Sequence, residues 1–185
     1  MRIISGKAKG TKLYTLEGTN TRPTLDRVKE SIFNIIQSEI DGAKVLDLFA
    51  GSGAIGLEFL SRGAEKAVLC DQSKDAVEII KKNVQKTHME DYVQVFNMGF
   101  EKCLEKLKDQ QFDFIYLDPP YATDYIEKSL KKIINFELAK NETIIIIETD
   151  DEKRILKEIE NIEVQIVDKR KYGRATIIFL KKRDA

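Results

Sequence analysis

Residues 118–121, Asp-Pro-Pro-Tyr, end an apolar run, FDFIYL at 112–117, with a carboxylate, two prolines and a phenol. Pro119 and Pro120 have no backbone N–H, fix φ at about −65° and push their predecessors toward extended geometry. The stretch is therefore a stiff edge of hydrogen-bond acceptors. It suits a primary amine on a nucleobase, which presents two donor hydrogens on one nitrogen: the Asp118 carboxylate takes one and the Pro119 carbonyl the other. Two acceptors out of the ring plane favour a pyramidal, nucleophilic nitrogen and stabilise the positive charge that develops on it. Asp118 can also receive the departing proton, directly or through water. Tyr121 offers a ring against which an unstacked base can lie. A purely structural turn would explain the two prolines but not the acid and the ring beside them.

A second stretch supplies a place for a co-reactant. Gly51, Gly53 and Gly56 in DLFAGSGAIG (47–56) stand in G-x-G-x-x-G spacing at a strand-to-helix junction. Glycines there let the chain turn sharply, approach a ligand and pack the helix on the sheet. Asp71 closes the next strand, 24 residues after Asp47, where a carboxylate can accept from both hydroxyls of a ribose. A dinucleotide and S-adenosylmethionine both fit such a site. Asp47 favours the latter, because a carboxylate would repel a pyrophosphate but attract an ammonium and sulfonium end. Alternatively, Asp47 ties down a loop amide. Phe49 and Ser52 belong to the same loop and Gln72 follows Asp71. Asn97, Met98, Gly99 and Phe100 follow the third strand, where they would border an adenine ring. The sole histidine, His88, ends a polar helix and reads as an exposed structural residue, so no catalytic histidine is at hand.

These loops need a scaffold, and the pattern of the chain provides one. From residue 43 short apolar runs alternate with helical segments: KVLDLF, a helix near 54–62, KAVLCD, a helix near 74–87, VQVFN, a short helix near 100–108, and FDFIYLD. A helix near 124–134, ETIIIIE, a charged helix near 151–160 and the runs EVQIVDKRK and ATIIFLKK complete it. Strands without inside–outside alternation, each followed by a helix, indicate a parallel sheet covered on both faces. The short YGR link makes the last two strands an antiparallel hairpin. One domain is expected, with residues 1–23 a basic arm folded as a small hairpin, 24–41 an amphipathic helix capped by Thr24, and 42–185 the Rossmann-like α/β core.

Composition limits the chemistry. The 185 residues include two cysteines far apart in sequence and one histidine, so neither a disulfide framework nor a Cys/His zinc cluster can form. No run of eighteen apolar residues occurs and the first ten lack a secretory pattern, so a soluble cytoplasmic monomer without metal is expected. Acids and bases balance at 31 each, but they are unevenly placed. Residues 1–29 carry seven lysines and arginines against two acids, and residues 168–183 carry seven against one. Basic ends around an acidic middle can hold a nucleic acid on one side of the molecule.

MRIISGKAKG, RPTLDRVKESIFN, VLDLFAGSGAIGLEFLSRGA, LDPPY and KYGRATIIFLKK together, in order along nearly the whole chain, resemble the ribosomal RNA small subunit methyltransferase D family. The resemblance implies a class I methyltransferase fold with a seven-stranded, mostly parallel sheet and an N-terminal hairpin and helix extension. It implies S-adenosylmethionine as cofactor and, as substrate, the N2 amine of a guanine in 16S rRNA, within the small subunit or an assembly intermediate. Asp47, Gly51, Gly53 and Asp71 fall on the family's cofactor positions, and Asp118, Pro119, Pro120 and Tyr121 on its catalytic loop. Arg22, Thr24 and Arg27 lie in its N-terminal motif, to close over the cofactor or touch RNA, and Lys7, Lys9, Lys12 and Arg174 are expected to grip RNA backbone. FNMGF lacks the acid that often follows the third strand in class I methyltransferases. The same acceptor loop would serve an adenine-N6 methyltransferase on RNA or DNA. A protein-glutamine methyltransferase and a non-catalytic RNA-binding assembly factor on this scaffold are further alternatives.

Overall fold

The computed structural model describes residues 1–16 and 23–184. Seven strands, β1 (Lys44–Asp47), β2 (Lys66–Asp71), β3 (Val93–Asn97), β4 (Phe112–Leu117), β5 (Ala139–Thr149), β6 (Val164–Tyr172) and β7 (Ala175–Lys182), form one sheet in the order β3-β2-β1-β4-β5-β7-β6. The first five are parallel, and β7 runs antiparallel to both β5 and β6. Six helices cover it: α1 (Pro23–Ile36), α2 (Ala54–Ser61), α3 (Lys74–Thr87), α4 (Phe100–Lys106), α5 (Tyr125–Asn135) and α6 (Glu152–Ile159).

Successive strand side chains point to opposite faces, and the two cores divide accordingly. Val45, Phe114, Tyr116, Ile146 and Phe179 pack with Val28, Ile32 and Phe33 of α1 and with residues of α2 and α3. Leu46, Ile115, Leu117, Ile145 and Ile147 pack with α4, α5 and α6 on the other face. Each fully buried isoleucine or leucine contributes about 1.5–3 kcal/mol, so the run Ile144–Ile147 is a cross-link between both layers.

β1 and β4 are neighbours, although the strand order reverses direction between them, and their carboxyl ends frame the crevice where ligands bind in such sheets. The glycine loop leaves β1 and the Asp-Pro-Pro-Tyr loop leaves β4, so the order of the sheet brings together segments about seventy residues apart.

Two expectations need adjustment. The first helix ends at Ile36, and a single 3₁₀ turn, Gln37–Glu39, follows it, because the polar stretch 37–39 offers nothing to the core until Ile40 returns to it. The arm is an irregular hairpin with one bridge, Arg2 to Lys12. Its turn is bent onto α2: Lys7 N–H donates to the Ser61 carbonyl at 2.8 Å, and a Cβ at Gly6, whose φ is +85°, would lie 1.8 Å from that same oxygen.

Candidate active site

At the glycine loop, Gly51 and Gly53 take positive φ, +56° and +81°, a conformation that L side chains rarely adopt. Gly56 serves differently: a Cβ there would meet Leu69 Cδ2 at 2.1 Å, so its absence sets how closely α2 packs on β2. Asp71 fastens the loop from the next strand. Its Oδ2 accepts from Gly51 N–H at 2.9 Å and its Oδ1 from Ser73 N–H at 2.8 Å. Asp47 is 1% exposed and accepts from Gly56 N–H at 3.3 Å. It therefore does tie a loop amide, and it lines the cavity as well.

Two cavities adjoin this loop. The larger, about 280 Å³, is bounded by Asp47, Gly51, Tyr116, Asp118 and Glu148 on the sheet side and by Val28, Lys29 and Ile32 of α1. The smaller, about 60 Å³, lies among Asp71, Gln72, Met98, Phe100, Pro120 and Tyr125. Phe49 borders both. Its ring stacks near that of Tyr125, with centroids 6.2 Å apart and planes 12° apart, and Phe100 touches both rings. A flat apolar slot beside the Asp71 carboxylate suits an adenosine, and a buried carboxylate in the larger cavity suits a cationic tail. The residues present thus fit S-adenosylmethionine in two parts, held at Asp71 and the aromatic slot and at Asp47.

Electrostatics support that division. Burial lifts the pKa of Asp47 to about 7 against the downward pull of the Gly56 N–H, and Asp71 adds to the rise. Asp118 reaches solvent, yet its carboxyl is densely surrounded, and lost hydration with Glu148 and Asp47 nearby raises it well above the ordinary range. Glu148 is raised by burial and drawn back by the Tyr116 hydroxyl, which donates to its Oε2 at 2.5 Å.

The Asp-Pro-Pro-Tyr loop borders the same cleft: Asp118 lines the larger cavity, Pro120 the smaller, and Tyr121 is 73% exposed. The loop is closed by Thr123 Oγ1 donating to the Pro120 carbonyl at 2.9 Å and by Arg154 Nη1 of α6 donating to the Thr123 carbonyl at 2.6 Å. Ser52 and Gly51 line the larger cavity. Asn97 spends its amide on the carbonyls of Asp71 and Gln72, 3.1 Å each, and so shapes the slot from behind. Gly99 caps α4.

The basic residues are dispersed. Arg174 lies in the β6–β7 turn, which the pairing of Thr149 with Thr176 and of Tyr172 with Ala175 puts at the sheet edge where the parallel strands end. Lys9 and Arg27 share a shallow depression along the arm. Lys7 sits over the Tyr92 ring, 4.5 Å from its centroid. Tyr92 immediately precedes β3, so this is the edge where strands begin, away from Asp118. Arg22 lies outside the described residues, as does the Thr24 side chain. Cys70 and Cys103 are buried and His88 is an exposed αL cap of α3.

Sequence reasoning missed Glu148, Tyr125, Lys29 and Glu58. Glu148 was detectable by the signal that marked Asp47, Asp71 and Asp118, an acid closing a buried strand. Lys29 and Glu58, 4% and 0% exposed, sit at helical positions that read as ordinary solvated charges.

The model of the family described as conserved hypothetical protein 95 matches residues 1–181. A candidate rRNA methyltransferase of Bacillus subtilis, YlbH, is 36% identical over 185 residues, 99% of this chain and 100% of its own. The ribosomal RNA small subunit methyltransferase D of Haemophilus influenzae is 34% identical over 158 residues, 84% of this chain and 82% of its own. Among solved structures, the methylase candidate HI0767 of H. influenzae superposes with a TM-score of 0.78 at 29% identity, covering 100% of this chain and 99% of that one. With the class I methyltransferase fold, the glycine loop and the acceptor loop assembled on one sheet edge, this chain belongs to the conserved hypothetical protein 95 family, that of ribosomal RNA small subunit methyltransferase D.

Proposed function

We propose that the protein is an S-adenosylmethionine-dependent methyltransferase that modifies the exocyclic N2 amine of a guanine in 16S rRNA, acting as a cytoplasmic monomer on the small subunit or an assembly intermediate. The observation that carries this reading is that Asp118 lines one cavity with the glycine loop and the buried Asp47, while Pro120 lines the smaller cavity beside it. When bound, S-adenosylmethionine supplies a methyl group already activated by its sulfonium.

The chain supplies alignment and a proton acceptor. Asp71 and the Phe49, Phe100 and Tyr125 rings would hold the adenosine, and Asp47 the ammonium. Asp118 and the Pro119 carbonyl would accept the two hydrogens of the amine, turning its lone pair toward the cofactor. A raised pKa suits Asp118 to take the proton that the amine loses, and its contact with solvent allows the proton to leave. Tyr121 would stack on the base, a contact worth roughly 1–3 kcal/mol. Arg174 and Arg27 would contact phosphates around a splayed nucleotide.

Labelled S-adenosylmethionine offered in parallel to unmethylated small subunits, naked 16S rRNA and DNA, with mass spectrometry of the methylated nucleoside, tests the reading. N2-methylguanosine from the subunit is expected; N6-methyladenosine would reassign the enzyme. Asp118→Ala should nearly abolish single-turnover methyl transfer and leave the affinity for S-adenosylhomocysteine within a few-fold. Asp71→Ala should chiefly weaken that affinity, and equal losses in both variants would contradict the assigned roles.

A further inference from the structure

Glu148 has no part in the chemistry described so far, yet it occupies a defined place. Leu117 pairs with Ile147 across β4 and β5, so Asp118 and Glu148 follow side by side on strands about 4.8 Å apart. Both line the larger cavity. Period-two alternation puts Glu148 on the same face as Ile146 and Tyr116, the face covered by α1. Tyr116, 2% exposed, donates its hydroxyl to Oε2 and fixes the carboxylate. Oε1 takes no hydrogen bond among the described residues.

The edge of a guanine carries N1–H directly beside the N2 amine, whereas the edge of an adenine carries a bare N1 lone pair beside its amine. With the amine held by Asp118 and Pro119, the neighbouring ring position falls to the neighbouring acceptor. We propose that Glu148, anchored by Tyr116, accepts the N1–H of the target guanine and thereby sets guanine over adenine. This assignment rests on the amine-methyltransferase reading above. A carboxylate satisfies an N–H donor, but against adenine it would bring two lone pairs together, and a site built around a substrate donor rejects analogues that lack it.

The test uses small subunits reconstituted with 16S rRNA that carries guanosine or 2-aminopurine riboside at the methylated position. 2-Aminopurine keeps the amine but lacks N1–H and O6, so the share of discrimination due to N1–H is what removal of the carboxylate abolishes. Glu148→Ala should narrow the wild-type guanine preference by about 10–100-fold, with S-adenosylhomocysteine binding within a few-fold of wild type. Tyr116→Phe, which keeps the ring in the core, should narrow it less and provides the same test if the alanine variant fails to fold. An unchanged preference, or equal loss of activity on both bases, overturns the assignment. Wild-type protein that methylates adenine and leaves guanine untouched overturns this inference and the N2 reading together.

Discussion

Asp47, Asp118 and Glu148, at the carboxyl ends of three adjacent strands, crowd three acids over one cavity. Without a cation among them, burial and mutual repulsion favour their protonated forms, and the carboxylates that the proposed roles of Asp118 and Glu148 require form when the cationic end of the cofactor enters the cavity. Asp47 allows the cleanest prediction. Its folded pKa of about 7 lies above its unfolded value of 3.8, so its contribution to stability is complete below the unfolded value and is lost as pH rises through about 7. Compared with Asp47→Asn, the wild type should lose on the order of 3–4 kcal/mol of relative stability between pH 4 and pH 7. Urea titrations of both proteins without ligand measure it, and parallel stabilities across that range would refute the shift. An acid at a strand end was visible in the sequence; its protonation was not, because that depends on what packs around the carboxyl.

At the scale of elements, the arm is tied down by Ser61, by Asn83 and, at its first strand, by a buried carboxylate. Glu58 of α2 accepts from Ile4 N–H at 2.8 Å and Ser5 N–H at 3.0 Å, pairs with Arg62 Nε at 2.8 Å and lies 3.3 Å from Lys29 Nζ. Lys29 also donates to the Arg2 carbonyl. The network joins the arm, α1 and α2, and α1 roofs the larger cavity. Glu58→Ala would leave Lys29 buried without its partner, costing about 3–5 kcal/mol. Hydrogen exchange should then show residues 2–13 opening first. Protection of the arm equal to wild type would mean that its bonds to Ser61 and Asn83, with the packing of Ile3 and Leu13, are sufficient to hold it. The strands were legible because apolar runs bounded by Gly, Asp and Pro have few alternatives. The docking of the arm was not, since its partners Glu58, Ser61 and Asn83 are more than fifty residues away.

For the whole molecule, the distribution of charge decides how RNA would approach. The β6–β7 turn and the Asp-Pro-Pro-Tyr loop share an edge, whereas Lys7 occupies the opposite one. Neutralising Lys171 and Arg174 together should reduce the slope of log affinity against log salt by about two. Neutralising Lys7 should leave that slope unchanged. Binding of small subunits across a salt series decides between the edges, and a slope that responds only to Lys7 would place RNA away from Asp118.

The parallel sheet with its closing hairpin, the glycine loop, the Asp-Pro-Pro-Tyr loop and the family were legible in the chain alone, because each is written in residues close together and in local backbone constraints. That Glu148 stands beside Asp118 and takes the Tyr116 hydroxyl, that Glu58 helps to moor the arm, and that Lys7 and Arg174 lie at opposite edges emerge only from the folded chain. Those facts follow from strand order and register, which are fixed by the packing of two cores at once and not by any short stretch of chain.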